Sequence, residues 1–193
     1  LHDALPILLS INCAFALPSA SSLQQSSRWE KVVIPNAKCG RGHDYTVFIR
    51  RHSPEKLLVE FMGGGACWNK RTCVTLPTTW VYPMIELSQF SILTSETNET
   101  NPFKDHSNVY FPFCTGDVFT GDRISNYDGT KIYHYGYRNI VLALKHLKEK
   151  NIIEFDQVKD LIVWGASAGG IGALTHAKRV ASYAPEQAKK TLI

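Results

Sequence analysis

Several absences set the first bounds on this 193-residue chain. No apolar run approaches the roughly 20 residues that a membrane-spanning helix needs, so no membrane span is expected in the mature chain. There is no block of like charge. The formal net charge is +4 and the 21 Lys and Arg residues are scattered, so no nucleic-acid partner is expected. The densest basic stretch, residues 145–150, reads as the solvated end of a helix. The five cysteines form no C-x-x-C pair and no histidines fall at ligand spacing, so no metal is expected. Repeats and low-complexity tracts are missing too, which excludes solenoids and disordered linkers. What remains is 44% hydrophobic and 20% charged residues, the balance of one soluble domain with a buried core.

Residues 1–7 (LHDALPI) resemble the translation of a sequencing adapter. Residues 8–20 read as the remnant of a secretory signal peptide. A short apolar run there is followed by Ala14-Phe15-Ala16, an A-x-A cleavage pattern, with Ala20 as a second site. Localisation is thus expected to be secreted, either extracellular or periplasmic. Removing the leader takes Cys13 with it and leaves Cys39, Cys67, Cys73 and Cys114. An even number in an exported chain points to disulfides, and three pairings stay open. Residues 93–108 read as a long polar loop, in which Asn98-Glu99-Thr100 fits an N-glycosylation acceptor.

Residues 29–34 and 45–50 read as two strands of a hairpin. Residues 56–61, 108–113 and 161–164 are short and mostly apolar, as strands covered on both faces are. One helix is expected over 138–150, where Ile140, Val141, Leu144 and Leu147 share a face. A second follows Ser167 to about Ala184, before Pro185. Alternating strands and helices predict an α/β fold with a mainly parallel sheet.

Gly165-Ala166-Ser167-Ala168-Gly169 matches G-x-S-x-G, the nucleophile elbow. Chance alone gives this pattern in roughly one chain in fifteen of this length, so context decides. Here an apolar strand precedes the motif and a small-residue helix follows it. The turn would lift the Ser167 hydroxyl above the sheet and aim a helix N-terminus at developing negative charge. An oxyanion hole needs a second donor loop. Gly63-Gly64-Gly65, directly after an apolar strand, can supply it. No Gly-Lys-Ser/Thr follows those glycines, which argues against a phosphate loop.

Residues 61–68 (FMGGGACW), 110–122 (YFPFCTGDVFTGD), 128–139 (DGTKIYHYGYRN) and 164–170 (WGASAGG) are similar, in order, to landmarks of the pectin acetylesterase and Notum family. That resemblance implies an α/β-hydrolase fold and serine-dependent hydrolysis of a carboxylic ester in a secreted enzyme, without a cofactor. It makes Ser167 the nucleophile and gives Gly64, Gly65 and Ala168 the oxyanion-hole positions. Family members often carry an aromatic residue just before the loop cysteine. Here Ala66 stands there and Trp68 follows Cys67, a departure that bears on the acyl pocket. Trp68, Asp117 and His134 are candidates to line the site. Asp117 and Asp122 are expected to hold their loop beside it, outside the triad.

In this fold the triad runs Ser, then acid, then His. After Ser167 come only His176 and Glu186, in the wrong order. His176 would sit in the helix behind the elbow, too far round to return to the hydroxyl. The triad Asp and His are therefore expected outside this chain. Residues 29–193 would be the N-terminal part of one α/β-hydrolase domain, truncated at its C-terminus and inactive alone. The expected function is removal of acyl groups, acetyl foremost, from a polysaccharide such as pectin, so the partner is an acylated carbohydrate or other ester. Two alternatives stand beside it. One is an inactive carbohydrate-binding or interaction protein on the same scaffold. The other is a lipid-acyl esterase or acyltransferase.

Overall fold

In the computed structural model, residues 29–80, 93 and 99–193 are described. The adapter-like residues 1–7, the leader over 8–20 and Asn98 of the acceptor triplet lie outside them.

Strands β1 (Glu30–Lys38) and β2 (Asp44–Arg50) form the expected antiparallel hairpin. Next come β3 (Ser53–Phe61) and β4 (His106–Phe111). The latter ends two residues before the sequence pattern does, because Pro112 lacks the N–H a further ladder bond would need. A small hairpin follows, β5 (Arg123–Tyr127) and β6 (Thr130–His134), then helix α1 (Gly136–Glu149). The chain closes with β7 (Asp160–Gly165), α2 (Ala168–Ala181) and β8 (Lys189–Leu192).

The main sheet has six strands in the order β1-β2-β4-β3-β7-β8. β4, β3, β7 and β8 run parallel, and β2 joins β4 antiparallel. This is the mainly parallel α/β-hydrolase type of sheet that the sequence predicts. The crossovers β4-α1-β7 and β7-α2-β8 run the same way across the sheet, so right-handedness puts both helices on one face. Ile140, Leu144 and Leu147 of α1 and Ala173 and Val180 of α2 accordingly share one core with Val59, Phe61, Val109 and Val163.

Register positions the site. Phe61 pairs with Gly165 across the parallel β3-β7 ladder, so the two strands end level. Whatever lies two residues beyond each end is brought side by side. Those residues are Gly63 and Ser167.

Cys39 pairs with Cys114 and Cys67 with Cys73, which selects one of the three open pairings. The first bond ties the β1-β2 turn to the segment leaving β4. The second closes a six-residue separation beside the glycine loop.

Candidate active site

Ser167 joins β7 to α2 with φ 56° and ψ −125°. A non-glycine residue there carries a strain of about 1–3 kcal/mol. Small neighbours make the bend possible. A Cβ on Gly165 would lie 2.1 Å from the Gly169 carbonyl oxygen, and a Cβ on Gly169 would lie 2.0 Å from that of Phe61. The bend leaves Ser167 exposed while Ala168, the first residue of α2, is buried. The Ala168 N–H belongs to the first turn, whose donors have no partner within the helix.

Gly63 packs directly on this bend. A Cβ added to it would meet the Ala166 carbonyl oxygen at 2.9 Å and the Ser167 Cβ at 3.5 Å. Gly64 and Gly65 lead outward and are exposed. Gly64 runs over the Phe113 ring, 2.0 Å from where its Cβ would be, and Gly65 turns with φ +77°. The structure thus brings Ser167, Ala168 and the triple glycine together.

Beside the glycine loop opens a cleft of about 550 Å³, lined by residues 66–68, 116–118 and 120–123 together with Tyr127 and His134. Ser167 stands outside that lining, and Trp68, Asp117 and His134 fall within it. Two other cavities, of about 270 and 470 Å³, open near the start of β3, at the opposite end of the parallel strands. Ser107 in the first of these donates its hydroxyl to the Ser53 carbonyl.

Asp117 organises the loop that floors the cleft. Its carboxylate accepts from the Thr115 hydroxyl at 2.6 Å, the Phe119 N–H at 3.2 Å and the Gly136 N–H at 2.7 Å. Gly136 opens α1, and the preceding Tyr135 offers no side-chain cap, so Asp117 caps the helix from 19 residues away. The same contacts hold Val118 and Phe119 at φ 50° and 64°, rare for a β-branched and an aromatic residue. Asp117→Ala is expected to cost about 1–3 kcal/mol, by leaving buried donors unpaired, and to loosen the cleft floor. A urea melt measures the cost. A midpoint unchanged from the parent would remove Asp117 from this role. Asp122 is exposed and pairs with Arg138 at 2.5 Å.

His134 and His176 are committed elsewhere. His134 Nδ1–H donates to the Thr115 carbonyl at 2.9 Å and its Nε2 accepts from the Tyr127 hydroxyl at 3.0 Å. His176 is fully buried, stacks on Phe61, and donates from Nε2 to the Phe119 carbonyl at 2.8 Å. Its Nδ1 is buried without a hydrogen-bond partner among the described residues. Burial lowers the His176 pKa; Arg179 adds to that, while the Phe119 carbonyl and Asp117 oppose it. The unfolded chain then takes up a proton near the ordinary value of about 6.5, where the native chain does not. Stability should be full above about pH 6.5 and fall as the pH drops below it. Buried His106, whose pKa burial also lowers against the pull of Asp160, acts with the same sign. Urea midpoints at pH 7.5 and 5.5 should differ less in His176→Gln than in the parent. An equal difference would refute the assignment.

Cys67, Cys73 and His134 come together, with one potential ligand atom from each lying within 4.8 Å of the others. The two sulfurs are bonded to each other, which leaves no thiolate for a metal ion.

Arg123 and Tyr127 are cleft residues that sequence reasoning missed. The signal was Asp128-Gly129, a two-residue hairpin turn with both φ values positive, at 48° and 86°.

Comparison with known proteins supplies an independent line. The pectinacetylesterase family profile matches residues 24–192. The palmitoleoyl-protein carboxylesterase Notum of Schmidtea mediterranea is 28% identical over 155 residues, 75% of this chain and 28% of that protein. Pectin acetylesterase 11 of Arabidopsis thaliana is 29% identical over 137 residues, 68% of this chain and 34% of the relative. In fold, the chain is similar to the solved Wnt deacylase Notum from Drosophila, with a TM-score of 0.63 at 21% identity. That match covers 86% of this chain and 50% of the solved one. The chain spans about a third of the length of the curated relatives it matches.

Proposed function

Because the chain belongs to the pectinacetylesterase family, we propose that it is the nucleophile-bearing part of a secreted serine carboxylesterase that removes acyl groups, acetyl foremost, from a polysaccharide such as pectin. The observation that carries this reading is Ser167, exposed at a strained bend with the triple-glycine backbone packed against it. In this reading residues 29–193 are the N-terminal part of one α/β-hydrolase domain behind a cleaved leader. The two disulfides support an oxidising, exported location.

Chemically, Ser167 Oγ attacks the acyl carbon. Negative charge developing on the carbonyl oxygen meets the N–H groups of Gly64, Gly65 and Ala168, with the α2 dipole behind them. The serine proton passes through a histidine to the departing sugar hydroxyl, which leaves an acyl-serine. Water then attacks the acyl group, giving the acid and the free serine. His134 and His176 both hold hydrogen bonds to the partners described above. In this reading the activating histidine and its acid are assigned to residues outside the present chain, as the Ser, acid, His order of the fold implies.

The relatives are named for two substrates, a palmitoleoylated protein and acetylated pectin, at nearly equal identity. What supports the carbohydrate reading is the mixed lining of the cleft, in which the aromatic rings of Trp68 and Tyr127 stand beside polar Asp117, Asp122 and Arg123.

Extending the chain to the length of its relatives is expected to give Ser167-dependent hydrolysis of an aryl acetate and release of acetate from acetylated pectin. The 193-residue chain alone should give neither. Robust Ser167-dependent turnover by the 193-residue chain would show that the base lies within it.

A further inference from the structure

Most polar groups lining the 550 Å³ cleft already have partners. Asp117 accepts three hydrogen bonds, Tyr127 and His134 bind each other, Asp122 holds Arg138, and the Thr120 hydroxyl donates to the Asp117 carbonyl. Two groups remain available. The Trp68 ring is 72% exposed. Exposed Arg123 makes no side-chain hydrogen bond or ion pair with any described residue. Two other cations of this region are engaged: Arg138 also lies over the Tyr135 ring at 4.2 Å, and Lys131 over Tyr133 at 5.0 Å.

Both groups sit on stiff supports. The Trp68 turn is stapled by Cys67–Cys73 and by reciprocal bonds, in which the Thr72 hydroxyl accepts from the Trp68 and Asn69 N–H groups and Asn69 Oδ1 accepts from the Thr72 N–H. Arg123 begins β5, opposite His134 in the hairpin register. Lys70 and Asp128, 3.2 Å apart, tie the tryptophan loop to the tip of that hairpin. An aromatic plane and a guanidinium fork are thus preset across one cleft. That cleft starts at Ala66, three residues and at most about 11 Å of chain from Gly63, which touches the Ser167 bend.

We propose that Trp68 and Arg123 form a subsite for a carboxylate-bearing sugar ring, the ring face lying on the indole and the carboxylate in the guanidinium fork. A planar fork matches a carboxylate bidentately, and a flat apolar ring buries the C–H face of a pyranose. The subsite's role as the holder of the ester's alcohol portion rests on the esterase reading. The binding itself does not.

The test uses the folded 193-residue chain and an oligouronate without ester groups, compared with the same oligomer after its carboxyls are reduced to primary alcohols. Titration calorimetry should show the acid oligomer binding at least about tenfold more tightly. Arg123→Gln should remove that preference and keep the weak neutral binding. Trp68→Ala should weaken both oligomers by about fivefold or more, whereas Trp80→Ala should change neither. Thermal melts establish that each variant is folded. Equal binding of the two oligomers by the parent, or a preference that survives Arg123→Gln, would overturn the subsite. Hydrolysis is scored separately. A charge preference without Ser167-dependent turnover in the extended chain would refute the esterase reading alone, and turnover without the preference would refute the subsite alone.

Discussion

Ser167→Ala is expected to lower kcat toward an aryl acetate by about 10⁴–10⁶-fold in the chain extended to the length of its relatives, with little change in KM. The size follows from the chemistry. Without Oγ there is no acyl intermediate, and the oxyanion donors can only assist direct attack by water. Ser167→Gly should be equally inactive yet more stable than the parent, by about 1 kcal/mol. Glycine has no Cβ to resist φ 56° and ψ −125°, whereas alanine keeps the Cβ and gains nothing. Urea midpoints at constant slope would measure the difference. If the alanine and glycine variants proved equally stable, the bend would hold no strain at Ser167.

The second large effect concerns structure. Gly165→Ala and Gly169→Ala should each cost about 3–5 kcal/mol and deplete soluble protein, because a typical domain has only about 5–15 kcal/mol to lose. The added methyl groups would stand 2.1 and 2.0 Å from carbonyl oxygens of Gly169 and Phe61. Those atoms are backbone, so they cannot swing aside, and α2 would have to lift off β3. Gly170→Ala is the control. Its Cβ would come no nearer than 3.3 Å to the Gly165 carbonyl oxygen, and alanine favours the helix, so its midpoint should move by less than about 1 kcal/mol. Equal losses at all three positions would mean that helix packing, not the close approach, sets the cost.

These residues also mark how far the sequence could be read. The elbow was legible because everything it needs is local: an apolar strand, one serine and four small residues in succession. β3, β7 and both helices were legible through their apolar runs and periodicity. β8 was not, since Lys189–Leu192 has no alternation and owes its extended form to pairing with β7. The disulfide pairing was equally hidden, because Cys39 and Cys114 meet through a separation of 75 residues. Asp117 could be placed beside the site but not given its work, since its partner Gly136 arrives only after the intervening hairpin. α2 stops at Ala181, short of Ala184, and Ser182 and Tyr183 turn the chain before Pro185 is reached. The second hairpin is a different case. Asp128-Gly129 announced it, and the apolar signal around that pair is thin because Ile124 faces solvent.

The level ends of β3 and β7 carry a last implication. Shifting that ladder by one residue would turn Gly63 away from the bend and rotate alternate side chains to the wrong face. In the chain extended to the length of its relatives, recovery of the proposed aryl-acetate hydrolysis after dilution from denaturant would therefore report more than compaction. Misaligned but collapsed chains would remain silent, which makes turnover a gauge of correct strand alignment that circular dichroism alone cannot supply.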